Sequence, residues 1–275
     1  MEKTDVLYDK FLDEYVSEQA VRKYTTQTAG YGINYLLHHD YAKIYLTAVK
    51  TYLDGSSARP LRLLEFGCGG GMNITRLVAL LNQKGVAVEC AYGTDFSPRL
   101  VEAAKEEAQT YLSAELARKV NFYVARNERL EEDLLKSVGG NGARVGDFDL
   151  IIGVNTFRYC HRLGKQIDCA QDIYRLLRPG GVCVNIDMNN RFPAFRSRWR
   201  RSEKNTEESF LPSLAEYSEP FEQAGFEVIS RKTFCWVPHS AGPALTVACR
   251  AATPILNLVG RGRAMRSLVI ARKAK

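Results

Sequence analysis

Cysteine and histidine occur here in arrangements that exclude most of their usual chemistry. The seven cysteines (Cys68, Cys90, Cys160, Cys169, Cys183, Cys235 and Cys249) stand singly, odd in number and without a C-x-x-C pair. That pattern argues against a disulfide framework or a structural zinc site and for a reducing compartment. The four histidines form no H-x-x-x-H or H-x-H pair. Adjacent His38 and His39 would point to different sides of a helix, so no metal site is expected. No apolar run reaches the roughly 18 residues of a membrane span. The longest, Ala244 to Val259, is cut by Arg250 and Pro254. The N-terminus, MEKTDVLYDK, lacks the apolar segment of a signal peptide, so a cytoplasmic location is expected. No internal repeat or low-complexity tract is present.

What the chain does have suits a soluble enzyme of ordinary composition. Its 275 residues are 45% hydrophobic and 25% charged, enough for one large core without covalent staples. The net charge of +7 permits an anionic substrate or nucleic acid without requiring either. A homodimer is compatible with the sequence.

Two regions differ in pattern. Residues 1–58 are helical in spacing and hold eight of the 14 tyrosines: Tyr8, Tyr15, Tyr24, Tyr31, Tyr35, Tyr41, Tyr45 and Tyr52. From Asn34 to Leu53, apolar Leu37, Tyr41, Ile44, Tyr45, Ala48 and Tyr52 recur at helical intervals, with Gly55 as the stop. The tyrosines read either as packing or as an aromatic lid over a pocket. From residue 59 onward, strands alternate with helices. Strands are expected at Leu61–Phe66, Val86–Gly93, Val120–Ala125, Phe148–Val154, Val182–Asp187, Phe226–Trp236 and Arg266–Arg272. Helices are expected at Asn73–Lys84, after Ser97-Pro98, and at Gln166–Leu177. Another opens on a capping box at Ser213 and Glu216, with Pro220 expected to break it. An insertion at about 188–212 separates the fifth strand from that helix. The alternation predicts a doubly wound, mostly parallel seven-stranded α/β sheet with a helical N-terminal lid.

The sharpest local feature is LLEFGCGGGMN, Leu63 to Asn73, a buried strand entering four glycines within five residues. Glycine lets the backbone approach a ligand with no Cβ in the way. A G-x-G-x-x-G frame fails, because Met72 or Ile74 falls where its third glycine belongs. No Gly-Lys-Ser/Thr follows, so a Walker A loop fails as well. The pattern is E-x-G-x-G-x-G, and Glu65 would repel a pyrophosphate but tolerate an ammonium group. With AYGTDFSP, FDLIIGVN and LLRPGGVCV following in order, the span from about 61 to 187 resembles the class I S-adenosylmethionine-dependent methyltransferases.

That resemblance implies S-adenosylmethionine as cofactor and S-adenosylhomocysteine as product. Gly67, Gly69 and Gly71 would form the turn under the methionine part, and Glu65 would sit near its amino group. Asp95 would accept the ribose hydroxyls, Phe96 would pack on adenine, and the backbone of Val154 and Asn155 would floor the site. The family's usual acid after the third strand is replaced by Arg126, leaving Asn127 or Glu128 for the adenine amine. Tyr24 and Tyr31, flanking TTQTAG, would close over the cofactor's carboxylate, or simply pack. On the acceptor side, NTFRYCHR offers His161 as the leading general base, with Tyr159 and Arg158 as orienting groups. His239 is the second base candidate. The insertion interleaves Arg191, Arg196, Arg198, Arg200 and Arg201 with Phe192, Phe195 and Trp199. These suit a solvated helix, an anionic acceptor or, less well, RNA.

The leading expectation is methyl transfer to a small, anionic or aromatic metabolite. An RNA or protein methyltransferase is the alternative, and nucleic acid is disfavoured because no separate RNA-binding domain is visible. A non-catalytic partner protein of the same fold comes third. The D/N-P-P-Y/F motif of amino-group methylation is absent, since Asn155-Thr156-Phe157-Arg158 stands there.

Overall fold

Short apolar segments bounded by glycine and polar turns become the strands of one sheet, and a computed structural model describes residues 30–53, 59–138, 145–193 and 211–275. The strands are β1 (Leu61–Phe66), β2 (Val88–Asp95), β3 (Val120–Val124), β4 (Phe148–Val154), β5 (Leu177–Met188), β6 (Glu227–Phe234) and β7 (Arg266–Arg272). Their order is β3-β2-β1-β4-β5-β7-β6. The first five pair in parallel, and β7 runs antiparallel between β5 and β6. β1 and β4 are covered on both faces, which is why their sequences are mostly apolar without alternation, and why Arg62, Glu65 and Asp149 within them are buried. The strand order reverses at β1 and β4, and the crevice beyond their carboxyl ends is where such sheets bind ligands.

The helices that position the site are α1 (31–52), α2 (Met72–Gln83), α3 (Pro98–Tyr111), α4 (Leu130–Val138), α5 (Phe157–Leu163), α6 (Gln166–Leu176), α7 (Leu214–Gln223) and α8 (Pro243–Val259). Ser97 caps α3 through Leu100 N–H, with Pro98 in the first turn, and the Ser213–Glu216 capping box opens α7. α7 continues through Pro220, so the expected break does not occur. Packing of buried Tyr217, Pro220 and Phe221 against the sheet offsets the lost backbone bond.

β5 also differs from expectation. It starts at Leu177, and the Arg-Pro-Gly-Gly segment bulges between the pairs Phe148–Leu177 and Leu150–Val182, with Gly180 at φ +74°. α1 begins three residues before the expected helix and alternates α turns with wider π turns. Its Leu36, Tyr41, Tyr45 and Ala48 enter the same core as Leu63 of β1 and Ile74 of α2. Tyr41 and Tyr45 therefore pack into the core. Tyr8, Tyr15, Tyr24 and Gly55 lie outside the described residues, as do Phe195, Arg196, Arg198, Trp199, Arg200 and Arg201. α8 was not anticipated from the sequence. It turns exposed Leu245, Val247, Ile255 and Leu258 to solvent.

Three elements converge on Asp149, which is fully buried near the start of β4. Its carboxylate accepts from Arg62 N–H at 2.8 Å, from Arg59 Nη2 at 2.6 Å and from Arg178 Nε. These bonds tie β1 and the β5 bulge to β4. Removing one partner strands the others in a low-dielectric site. Asp149→Ala is expected to lower stability by about 3 kcal/mol or more, measured by urea unfolding; a loss under about 0.5 kcal/mol would contradict this reading.

Candidate active site

The glycine turn is built by backbone conformations that side chains resist. Gly67, Gly69 and Gly71 have φ of +59°, +54° and +74°. A Cβ at Gly67 would lie 1.9 Å from Thr156 Oγ1, so only glycine lets the turn pass under α5. The turn is fixed from both sides. Cys68 N–H donates to Thr94 O at 2.7 Å, and Gly69 N–H donates to Asp95 Oδ2 at 2.9 Å. Asp95 Oδ1 accepts from Ser97 N–H at 3.0 Å. Burial pushes the Asp95 carboxyl up to about 6, against opposing backbone hydrogen bonds.

Glu65 sits at the end of β1, 2% exposed. Its two oxygens accept from Asn73 Nδ2 at 2.9 Å and Ile74 N–H at 2.8 Å, capping the open amides of α2. Burial raises its carboxyl to about 8, so without a neighbouring cation it holds a proton at neutral pH. Asn73 in turn accepts from Tyr45 Oη–H at 2.8 Å, which ties α1 to the turn.

Around this turn lies one pocket. Of the residues expected from the sequence, Glu65, Gly67, Gly69, Asp95, Phe96, Asn127, Glu128, Val154, Asn155, Arg158, Tyr159 and His239 line it. Gly71 shapes the turn from behind, facing Ala104 and Phe122. Arg126 points elsewhere, with its N–H and Nε both donating to Asp133. Asn127 Nδ2 donates to Thr156 Oγ1 at 2.6 Å, leaving its carbonyl oxygen available. Phe96 and Tyr159 pack with Leu100 and Leu163 into an apolar slot, so Tyr159 belongs partly to that slot. Its hydroxyl accepts from Arg158 Nη2 at 2.9 Å.

Two expected residues are placed differently. Tyr31 is 51% exposed and does not line the pocket. His161 does not line it either. Its ring packs edge-on between Phe157 and Tyr217, and burial lowers its pKa to about 4. A histidine at helical spacing after β4 looked like a base because its helix starts at the site, but one turn further along the ring faces the core. From α1 it is other residues than Tyr31 that reach the pocket. Ile33, Leu37 and Tyr41 line the pocket, and their i, i+4, i+8 spacing was the signal available in the sequence.

The packing of His161 has a measurable consequence. Its ring is neutral in the fold but protonates near pH 6.5 when unfolded, so it favours unfolding as pH falls from about 6.5 through 4. His161→Phe is expected to gain on the order of 2 kcal/mol relative to wild type across that window, read from denaturation midpoints against pH. Parallel curves for the two proteins would refute the buried-ring account.

Comparison with known proteins agrees with this geometry. A family profile described as a methyltransferase domain matches residues 58–232. Non-reducing polyketide synthase sorB of Penicillium rubens is 31% identical over 131 residues, 48% of this chain and 4% of that protein. The chain spans 4–5% of the length of the curated relatives it matches. Among solved structures, the citrinin polyketide synthase CMeT domain superposes with TM-score 0.60 at 18% identity, over 99% of this chain and 64% of that one. Magnesium protoporphyrin IX methyltransferase (ChlM) of Synechocystis PCC 6803, with bound SAH, gives 0.60 at 12% identity over 97% and 100%. The fold, the ordered motifs and the matched profile together place this chain in the class I S-adenosylmethionine-dependent methyltransferase family.

Proposed function

We propose that the pocket binds S-adenosylmethionine and that the chain methylates a small-molecule acceptor. The observation that carries the cofactor half is the pairing of Glu65 with the glycine turn. A buried carboxyl raised to about 8 sits beside a turn whose Gly67 leaves no room for a Cβ. The residues present fit the cofactor: Glu65 for an ammonium group, Asp95 for ribose hydroxyls, and Phe96 with Leu100 for a flat ring. Asp95 already accepts backbone bonds from Gly69, Ser97 and Phe96, yet a carboxylate has about four acceptor positions, so room is left for a ribose hydroxyl. When bound, the cofactor supplies an electrophilic methyl group on a sulfonium sulfur.

The acceptor half rests on enclosure. Ile33, Leu37 and Tyr41 of α1 roof the same pocket that Arg158, Met188 and His239 wall. A recessed, partly apolar pocket suits a metabolite better than a polymer. The polyketide synthase relatives favour an acceptor of polyketide type, a carbonyl-rich or phenolic compound. Within this chamber the chain's task is to align the acceptor and exclude water. RNA or protein as acceptor remains the second reading, supported only by the net positive charge.

Calorimetry with S-adenosylmethionine tests the cofactor half. Placing an ammonium beside Glu65 favours its ionised form, so binding should release up to one proton at neutral pH. Affinity is therefore expected to rise with pH, approaching tenfold per unit, and to level off near 8. Glu65→Gln should flatten this dependence, and Asp95→Ala should weaken binding by tenfold or more. No binding at millimolar cofactor would refute the proposal. Turnover per folded molecule should survive His161→Ala, assayed with labelled cofactor and a polyketide-type acceptor.

A further inference from the structure

The pocket wall near His239 holds polar groups that the cofactor does not account for. Arg266 opens β7 and is 1% exposed. Its Nη1 donates to Asn155 Oδ1 at 2.6 Å, its Nη2 donates to His239 Nε2, and its Nε has no partner among the described residues. The carboxylate nearby, Asp187, is already engaged. It accepts from the backbone N–H groups of Arg158 and Met188 at 3.1 and 2.8 Å, and it pairs with the Arg158 guanidinium at 3.5 Å. Asp187 is thus spent on Arg158, whose side chain is partly exposed, while fully buried Arg266 has no carboxylate in hydrogen-bond contact among the described residues, and Asp40 is the other carboxylate acting on Tyr41.

The arginine also decides what His239 can do. A guanidinium only donates, so His239 Nε2 presents its lone pair to Arg266 and the ring hydrogen lies on Nδ1. The edge that would accept a proton is occupied. Burial, with Arg266 and Arg158 adjacent, holds the ring neutral well below the ordinary histidine range. His239 is left as a donor.

Tyr41 supplies an independent observation. It lines the pocket from α1 and is 1% exposed, yet its hydroxyl has no hydrogen-bond partner among the described residues. A buried hydroxyl left unpaired is costly unless a ligand completes it.

We infer that this wall is an oxyanion site, which takes the acceptor as an enolate or phenolate held by Tyr41 Oη–H and His239 Nδ1–H and balanced by the charge of Arg266. The inference rests on the methyl-transfer reading only in naming the ligand an acceptor. The acceptor's O–H or C–H proton passes to bulk water before the acceptor is enclosed, its electron pair staying on the acceptor, and no side chain takes the proton. Tyr41 and His239 touch the ligand; Arg266 is a positioning residue that acts through His239 and through its field.

The test is optical and uses the protein without cofactor. para-Nitrophenol and acetylacetone are titrated against pH in its presence, with para-nitroanisole as the neutral control. The bound nitrophenol's pKa should fall by about one unit, corresponding to about tenfold tighter binding of the anion. Tyr41→Phe should remove most of that shift and leave the control's affinity unchanged. Arg266→Met should abolish the shift and Arg266→Lys restore part of it. His239→Asn, whose amide nitrogen replaces the Nδ1 donor, should keep most of the shift, and His239→Ala should lose part of it. An unshifted pKa, a control that binds as tightly as the anion, or a shift that survives Tyr41→Phe would overturn the inference. A shift that His239→Ala leaves whole would overturn it as well. Should Arg266→Met fail to fold, the wild-type and Tyr41→Phe titrations decide. Absence of S-adenosylmethionine binding would sink the cofactor reading and leave this optical result standing.

Discussion

The buried carboxyl of Glu65 joins three elements that would otherwise meet only through apolar contact. It ends β1, caps α2 through Asn73 and Ile74, and reaches α1 through the Asn73–Tyr45 bond. A carboxyl in that position is costly to ionise, which its pKa of about 8 expresses. The hydrogen bonds that hold it also hold the glycine turn open under the pocket. Geometry and electrostatics therefore have one source. The group that fixes the turn also makes the pocket receptive to a cation.

The pocket has two halves of different origin. One comes from the parallel strands β1, β2 and β4, whose carboxyl ends carry Glu65, Asp95 and Asn155 in the order that the fold dictates. The other is added around it by α1 and by antiparallel β7, which bring Tyr41, Arg266 and, through the loop after β6, His239. Gly32 permits that loop to approach, since a Cβ there would lie 2.2 Å from Pro238 O. The first half follows from the strand order. The second half is where chains of this fold can diverge, and low identity to the solved structures leaves its chemistry to this chain's own residues.

Sequence and structure agree most closely where pattern is local. β1, β4 and β7 begin and end where their apolar runs do, and the caps at Ser97 and Ser213 act as their spacing indicates. The glycine frame read from Leu63–Asn73 excluded two nucleotide loops, and the turn has the left-handed backbone that glycine favours. Agreement weakens where side-chain direction matters. Arg158 and His161 lie three positions apart on one short helix, yet one lines the pocket and the other packs on Phe157 and Tyr217. α8 escaped notice because its apolar residues face solvent, so the pattern of a buried face was missing.

The sequence by itself determined the strand–helix alternation, the glycine turn, and the two carboxylates that follow strands, because strand period, backbone freedom and capping act over a few residues. Tertiary structure decided which histidine reaches the pocket, which tyrosine roofs it, and how Arg266 is spent. Those outcomes depend on contacts across long stretches of chain, such as Arg266 to Asn155 and to His239. No local spacing carries that information, since only the folded sheet brings the start of β7, across β5, within reach of the residue after β4.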